Sequence, residues 1–141
     1  MKSTKKFALV LAVMMVLVAM ASAASAAEVN LRFAGQFPPD HTATGFMKEV
    51  AKEVAAKSNG RIDIKIFPAN QLGDYTLVYE ELIRGTIDMA LISVPSQFDP
   101  RMELVYINGF VTGYDGIKKA FKPNVWMAKK MDEFQTRLGV K

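Results

Sequence analysis

The stretch IDIKIFPANQLGDYTLVYEELIRGTIDMALISV, residues 62–94, decides the fold of this 141-residue chain. It opens with apolar side chains that alternate with polar ones over residues 62–67, a pattern that predicts a strand. Asp74 then stands where a helix over residues 75–84 needs its N-terminal cap. The mostly apolar residues 87–94 complete the stretch and predict a strand that is buried on both faces of a parallel sheet.

A strand and a helix are also predicted upstream of this stretch. Residues 29–33 alternate apolar and polar side chains, which gives a short strand with one apolar face. Residues 42–58 repeat apolar side chains at helical spacing, and Asp40 or Thr42 is expected to cap this helix. Its predicted buried side consists of Phe46, Met47, Val50, Ala51, Val54 and Ala55.

The order strand, helix, strand, helix, strand predicts a right-handed βαβαβ unit whose helices cover a parallel sheet. Such a unit is the first half of a doubly wound α/β domain. The pattern weakens beyond Pro95: residues 102–110 are apolar but fit no single element, and residues 115–121 predict a short helix. A clearer helix is predicted over residues 124–138. Its apolar face consists of Met127, Met131, Phe134 and Leu138.

Residues 1–27 have the three-part layout of a secretory signal peptide. Three lysines stand near the start, an apolar run covers residues 7–20, and small residues follow as far as Ala27. We expect cleavage before Glu28 or one residue earlier, which places the mature chain in the periplasm. A retained membrane anchor is the alternative, because residues 7–27 are long enough to span a bilayer. The small residues before the cleavage point favour removal, after which no membrane insertion is expected.

The charges of the chain narrow the classes of partner. The sequence has 18 basic and 14 acidic side chains, and three of the lysines lie within the signal segment. The rest of the chain is almost neutral, and its charges are scattered rather than gathered in a basic stripe. A nucleic-acid partner is therefore not expected. Cysteine is absent, so export brings no disulfide and stability must come from the hydrophobic core.

In an open parallel sheet, a ligand binds beyond the carboxyl ends of the strands. Here those ends lead into residues 34–41, 68–74 and 93–98. Their side chains offer amides, hydroxyls, a carboxylate and aromatic faces, a set suited to holding a polar organic molecule. The candidates are Gln36, Phe37, His41, Gln71, Asp74, Tyr75, Ser93, Ser96 and Phe98.

Several of these candidates have a purely structural alternative. Asp74 fits a plain helix cap, and His41 fits an ordinary turn residue. Phe37 and Phe98 fit local packing, since aromatic side chains supply much of the buried area of any core. Ser93, at the end of a buried strand, is the candidate for which a structural role is least expected.

The sequence lacks the common enzyme and metal motifs. Without cysteine, thiol catalysis and thiolate metal sites are excluded, and a single histidine gives no two-histidine metal pair. No glycine-rich phosphate loop is present. We therefore expect no catalytic residue, no metal and no cofactor. A secreted hydrolase using Ser93 with His41 and an acid is the alternative, but Ser93 has no Gly-x-Ser-x-Gly elbow.

Several short motifs occur in the order and spacing of one family of transport proteins. They are Leu31-Arg32-Phe33, Gly45-Phe46, SNGRI at residues 58–62, Phe67-Pro68, QLGD at residues 71–74 and GTIDM at residues 85–89. Together with the signal peptide, they make the chain resemble the extracytoplasmic solute receptors of tripartite ATP-independent periplasmic (TRAP) transporters, the DctP family. The resemblance implies a periplasmic-binding-protein-like (type II) fold whose two lobes close around a small organic acid.

The resemblance also implies roles for particular residues and a partner. By position, Gln36, Asp74 and Ser93 look like first-lobe contacts of such receptors, and with Phe37 they form the expected ligand-binding set. The bound carboxylate would be delivered to the membrane permease subunits of a TRAP transporter. Residues 28–141 would form the N-terminal lobe, truncated before the second lobe.

The arginine that grips the ligand carboxylate in this family lies on the second lobe. The arginines of this chain, none of which matches it, are Arg32, Arg61, Arg84, Arg101 and Arg137. We therefore expect this sequence to be the N-terminal part of such a receptor. Two other interpretations stay open: a solute-binding protein of an ATP-driven (ABC-type) importer, and a truncated fragment without activity.

Overall fold

A computed structural model describes residues 27–109 and 111–140, so the predicted signal peptide lies almost entirely outside the described residues. The described part forms a parallel sheet with helices on both of its faces. In chain order the elements are β1 (Val29–Gly35), α1 (Thr42–Lys57), β2 (Ile62–Phe67), α2 (Tyr75–Arg84), β3 (Met89–Leu91), a 3-10 helix (Pro100–Tyr106), α3 (Gly113–Ala120) and α4 (Trp126–Arg137).

The three strands lie in the order β2-β1-β3, with β1 in the middle. Val29 pairs with Ile62 of β2, and Phe33 pairs with both Ile66 of β2 and Met89 of β3. α1 packs on one face of the sheet and α2 on the other, because the chain crosses back over β1 after β2. The predicted βαβαβ half of a doubly wound α/β lobe is confirmed.

α1 contacts the sheet along a single row of side chains, Met47, Ala51 and Val54. These residues are three or four positions apart and therefore share one side of the helix. The prediction that Phe46 and Val50 belong to the buried side is wrong, since they are 59% and 41% exposed. The apolar side of α1 is wider than the row that meets the sheet, so these two side chains lie on its flank.

α2 covers the opposite face, where Ala34, Val78 and Ile87 form the core. The predicted helix over residues 75–84 is confirmed with its exact ends. Helical periodicity in the sequence also predicts Tyr75 and Ile83 on the buried side of this helix, but that prediction is wrong, because they are 40% and 37% exposed. As on the other face, only a narrow row of the helix meets the sheet.

A third cluster joins α2 to the C-terminal helices. Tyr79 of α2, Met102 of the 3-10 helix and Phe134 of α4 are buried together, and Met102 has no exposed surface. Met127 and Phe134 are the buried residues of α4. The predicted apolar face of the last helix is thus confirmed, with helix ends one or two residues inside the predicted range.

The segment after Pro95 is helical where the sequence pattern was weakest. Residues 102–106 belong to the 3-10 helix, and the helix predicted over residues 115–121 begins at Gly113. α3 carries no buried residue, and its Tyr114 is 74% exposed. Among the described residues, no helix is both long and apolar enough to cross a membrane.

β3 is shorter than the predicted residues 87–94, and at each of its ends a side-chain hydrogen bond stands beside a backbone one, from the Asp88 N–H to the Arg32 carbonyl at 3.2 Å and from the Gln36 N–H to the Leu91 carbonyl at 3.4 Å. Before the strand, the Asp88 carboxylate accepts a hydrogen bond from the Arg32 backbone N–H at 2.7 Å. After the strand, the Gln36 side-chain oxygen accepts one from the Ser93 backbone N–H at 2.7 Å. Regular strand pairing is confined to three residues.

The GTID sequence that opens this region serves the fold. Gly85 ends α2 in the left-handed conformation, with φ of 76°. The Thr86 hydroxyl donates to the Glu81 carboxylate and lies 3.2 Å from the Glu81 carbonyl oxygen. Ile87 is buried, and the Asp88 carboxylate accepts the Arg32 backbone N–H of β1. These contacts fix where β3 begins.

A hydrogen-bonded ion pair, Asp99 with Arg101, lies at the start of the 3-10 helix and faces α4. Arg101 donates from Nε to Asp99 Oδ1 at 2.8 Å and from Nη2 to Asp99 Oδ2 at 2.5 Å. The Arg101 guanidinium lies 4.7 Å from the centre of the Phe134 ring. The hydrogen bonds from Arg101 lower the pKa of Asp99 from 3.8 to about 2, although burial of the carboxyl group acts in the opposite direction.

We expect Asp99→Asn to lower the free energy of unfolding at pH 7. A carboxylate whose pKa is lowered in the folded state stabilises the fold above its ordinary pKa of 3.8, and this contribution disappears as pH falls toward about 2. Urea unfolding from pH 7 to pH 2 measures the difference between the two proteins, which should shrink between about pH 4 and pH 2. A difference that stays constant over this range would contradict the assignment.

Asp115→Asn is the matched control for this prediction. Asp115 is 86% exposed and lies 3.4 Å from Lys118, also on the surface. Exposed ion pairs contribute little to stability. This variant should therefore unfold like the wild-type protein at every pH.

Candidate functional site

The loops that follow β1 and β2 are joined by backbone hydrogen bonds at the carboxyl edge of the sheet. The Ala69 N–H donates to the Phe37 carbonyl at 2.8 Å, and the Asn70 N–H donates to the Gly35 carbonyl at 3.1 Å. Ala69 and Asn70 both have left-handed backbones, with φ of 53° and 57°. This tight turn brings the second loop onto the first.

Side chains join the loop after β3 to the loop after β1 and to the first turn of α2. Gln36 donates from Nε2 to the Ser93 hydroxyl at 3.0 Å and accepts the Ser93 backbone N–H through Oε1. Gln97 donates from its side chain to the Thr76 hydroxyl at 2.7 Å, at the start of α2. Two of the predicted ligand-binding residues, Gln36 and Ser93, are therefore in direct contact.

Asp74 caps α2, which is the structural role that the sequence offered for it as the alternative to ligand binding. Its Oδ1 accepts hydrogen bonds from the backbone N–H groups of Thr76 at 3.0 Å and Leu77 at 2.9 Å. Gly73 before it has φ of 116°, and a Cβ there would approach Leu77 to 2.6 Å. Only glycine fits at this position, so the QLGD sequence builds the start of α2.

Phe37 and His41 stack face to face, with ring centres 4.4 Å apart and planes 10° from parallel. His41 is the cap of α1, and its Nδ1 accepts the Ala43 backbone N–H at 3.1 Å. The prediction of Asp40 or Thr42 as the cap is wrong. Stacking on Phe37 holds the His41 ring beside the first turn of α1, where the ring nitrogen takes the place of a cap oxygen.

The remaining candidates lie apart from the Gln36–Ser93 contact. Phe98 packs against Tyr79 with ring centres 5.0 Å apart, which supports its structural alternative. The Ser96 hydroxyl donates to the Glu103 carboxylate. Gln71 and Tyr75 are exposed.

A cavity of about 540 Å³ lies between β3, α2 and the end of α4. Its walls include Asp88, Ser93 and Val140, among mostly apolar neighbours. Of the predicted ligand-binding set, Ser93 alone lines it. Gln36, Phe37 and Asp74 lie outside it, on the open carboxyl edge of the sheet.

Every arginine of the chain is engaged with a protein group away from Gln36 and Ser93. The contacts are Arg32 with the Thr86 carbonyl, Arg61 with the Ser58 carbonyl, Arg84 with Glu80 and Glu81, Arg101 with Asp99, and Arg137 with Glu133. Within the described residues, no group of three or more His, Asp or Glu side chains is arranged to hold a metal ion. Gln36 and Ser93 therefore offer a neutral amide and a hydroxyl, while the Asp74 carboxylate is bound to α2 and the Lys48 ammonium donates to the Pro39 carbonyl of the loop after β1 at 3.1 Å.

Sequence patterns gave no indication that Gln36 and Ser93 would bond to each other. They are 57 residues apart, and their contact depends on β3 lying next to β1 rather than next to β2. In a doubly wound sheet this is the switch point, where two neighbouring strands lead to helices on opposite faces. The strand order, once known, is the signal that identifies the pair.

The family model for bacterial extracellular solute-binding protein, family 7 (DctP), matches residues 33–140. A TRAP periplasmic solute-binding protein from a Polaromonas species, solved with D-erythronate, is 19% identical to this chain and has a TM-score of 0.71. The match covers 79% of this chain and 37% of the Polaromonas chain. One from a Sulfitobacter species, with β-D-galacturonate, is 22% identical with a TM-score of 0.66, covering 74% and 36%. One from Sulfurospirillum deleyianum, with succinate, is 19% identical with a TM-score of 0.71, covering 80% and 36%.

These matches concern a part of each solved protein. The present chain spans little more than a third of the length of the three solved proteins. The family model, for its part, matches residues 33–140, a range that begins within β1 and contains every later element.

Proposed function

Since this chain belongs to the bacterial extracellular solute-binding protein family 7, the DctP family, we propose that it is a TRAP solute receptor for a small organic acid. The family is one of solute-binding receptors rather than enzymes. In this proposal Gln36, Phe37, Asp74 and Ser93 form the first-lobe side of the binding site. The ligand is a carboxylate, and the receptor delivers it to the membrane permease subunits of the transporter.

The observation that carries the proposal is the position of the Gln36–Ser93 pair. The pair lies at the carboxyl ends of β1 and β3, the switch point at which open α/β sheets bind their ligands. Three solved proteins of similar fold each hold a carboxylate, namely D-erythronate, β-D-galacturonate or succinate. These ligands combine carboxylate and, in two cases, hydroxyl oxygens, which suit amide and hydroxyl donors.

The proposed site offers one wall and no free guanidinium. Binding pockets enclose about 70 to 90% of a ligand of this size. The opposite wall, with the arginine that pairs with the carboxylate, belongs in this proposal to a second lobe. The described lobe alone should consequently bind carboxylates weakly.

Titration of the ¹⁵N-labelled chain with galacturonate tests the proposal, because NMR chemical shifts detect binding in the millimolar range. We expect saturable shifts at Gln36 and Ser93. Galactose is the matched control, since it keeps the ring but has no carboxylate, and it should cause smaller shifts. If galacturonate, succinate and D-erythronate all leave these signals unchanged, the proposal is wrong.

Delivery to a permease requires that the chain be exported. We propose that residues 1–27 are removed as a signal peptide and that the mature chain works in the periplasm. N-terminal sequencing of the protein recovered from the periplasm should begin at Glu28 or one residue earlier. Recovery of the protein with Met1 in the membrane fraction would instead support a retained anchor.

A further inference from the structure

The contact between Gln36 and Ser93 fixes the orientation of the Gln36 amide. The Ser93 backbone N–H can only donate a hydrogen bond, so the group 2.7 Å from it must be the amide oxygen. The amide nitrogen then faces the Ser93 hydroxyl oxygen at 3.0 Å and donates to it. The reverse orientation would set two donors against each other.

This orientation determines what the Ser93 hydroxyl can do. A hydroxyl has one proton to donate and two lone pairs that accept. The Gln36 Nε2–H occupies one lone pair, so the hydroxyl proton points away from Gln36. Among the described residues, no protein group accepts that proton. The half-buried Ser93 therefore presents an unused donor at the carboxyl edge of the sheet.

We infer that Gln36 is a positioning residue, which holds the Ser93 hydroxyl as a hydrogen-bond donor to an acceptor oxygen of the ligand. The inference rests on the proposed function, because it takes the ligand to be a carboxylate bound at this edge. It goes further by assigning the two side chains different tasks. Ser93 contacts the ligand, and Gln36 acts through Ser93.

A double-mutant cycle separates this arrangement from one in which Gln36 contacts the ligand itself. The variants are Ser93→Ala, Gln36→Leu and the double substitution, each titrated with galacturonate by NMR. A hydrogen bond to a charged group is worth roughly a factor of ten or more in affinity. We expect each single substitution to weaken binding by about tenfold, and Gln36→Leu to have no further effect when Ser93 is already alanine.

Gln36→Glu supplies a second, more conservative variant. A carboxylate still accepts the Ser93 backbone N–H, but it has no N–H to donate and accepts the Ser93 hydroxyl proton instead. The amide proton signal of Ser93 should stay close to its wild-type position in Gln36→Glu and move upfield in Gln36→Leu. Gln36→Glu should weaken galacturonate binding more in the wild-type chain than in the Ser93→Ala chain. The comparison cancels the repulsion between the new carboxylate and the ligand, because that repulsion is present in both chains.

Each outcome of these measurements decides a separate point. Wild-type affinity in Gln36→Leu, or equal losses from it in both Ser93 backgrounds, would overturn the positioning role while leaving carboxylate binding intact. Failure of the wild-type chain to bind any of the three carboxylates would overturn the proposed function, and this inference with it. Thermal unfolding of every variant shows whether a loss of binding reflects a loss of fold.

Discussion

A chain that continues after residue 140 with the remaining sequence of the Polaromonas relative should bind D-erythronate, the acid with which that relative was solved, at least a hundredfold more tightly than the present chain. The described lobe offers one wall, and all five of its arginines are bound elsewhere. Charge-assisted hydrogen bonds contribute about 1.5 to 3 kcal/mol each, and each 1.4 kcal/mol is a factor of ten in affinity. In the proposed two-lobed receptor, an arginine on the opposite wall that makes two such hydrogen bonds would therefore raise the affinity by about a hundredfold or more.

Isothermal titration calorimetry of the two chains measures this difference. The control is the extended chain with Ser93→Ala. If the first lobe takes part in binding, this variant should bind about tenfold more weakly than the extended chain with Ser93 intact. Equal affinities for the short and extended chains would refute the two-walled site. An extended chain unaffected by Ser93→Ala would place the ligand entirely on the added part.

Met102→Ala should cause the largest loss of stability among single substitutions in the C-terminal part of the fold. Met102 is fully buried, and it lies between Tyr79 of α2 and Phe134 of α4. Truncation of a buried methionine to alanine costs about 2 to 5 kcal/mol, against about 5 to 15 kcal/mol for the total stability of a typical domain. The loss should be concentrated where α4 packs on the rest of the molecule.

Urea unfolding measures the total loss in the free energy of unfolding. Native-state hydrogen exchange shows which elements lose stability. Amide protection should fall more in α4 than in β1, since β1 lies in the middle of the sheet. Ile107→Ala is the control, because Ile107 is 53% exposed and its truncation should lower the free energy of unfolding only slightly. Equal loss of protection in α4 and β1 would show that the two unfold together and contradict the predicted pattern.

The parts of the fold that follow from local chemistry were predictable from sequence. β2 alternates isoleucine with polar residues, and it forms with the predicted ends. Asp74 and Gly85 begin and end α2, since a short acidic side chain suits a helix start and glycine suits the left-handed end. These choices depend on neighbours within a few residues, which a sequence displays directly.

The parts that depend on tertiary contacts were not predictable in the same way. His41 replaces the expected caps of α1 because Phe37 supports its ring, a contact that needs the folded loop. Phe46 and Val50 are exposed because α1 meets the sheet along a narrow row of side chains. Helical periodicity in the sequence overestimates the width of this buried row. The resemblance to TRAP receptors placed Gln36 and Ser93 in one ligand-binding set, but the hydrogen bonds between them follow only from the strand order.

The brevity of β3 has a consequence for how this molecule behaves at high concentration. β3 is an outer strand of the sheet, and the side chains of Asp88 and Gln36 accept hydrogen bonds at its two ends. Three residues offer roughly 10 Å of regular backbone, whereas fibril-forming segments are about six or seven residues long. A foreign strand that docks on β3 finds too short a template for a growing cross-β ladder, whereas β2, the outer strand at the opposite edge of the described sheet, has six residues, so edge-to-edge pairing should begin at β2.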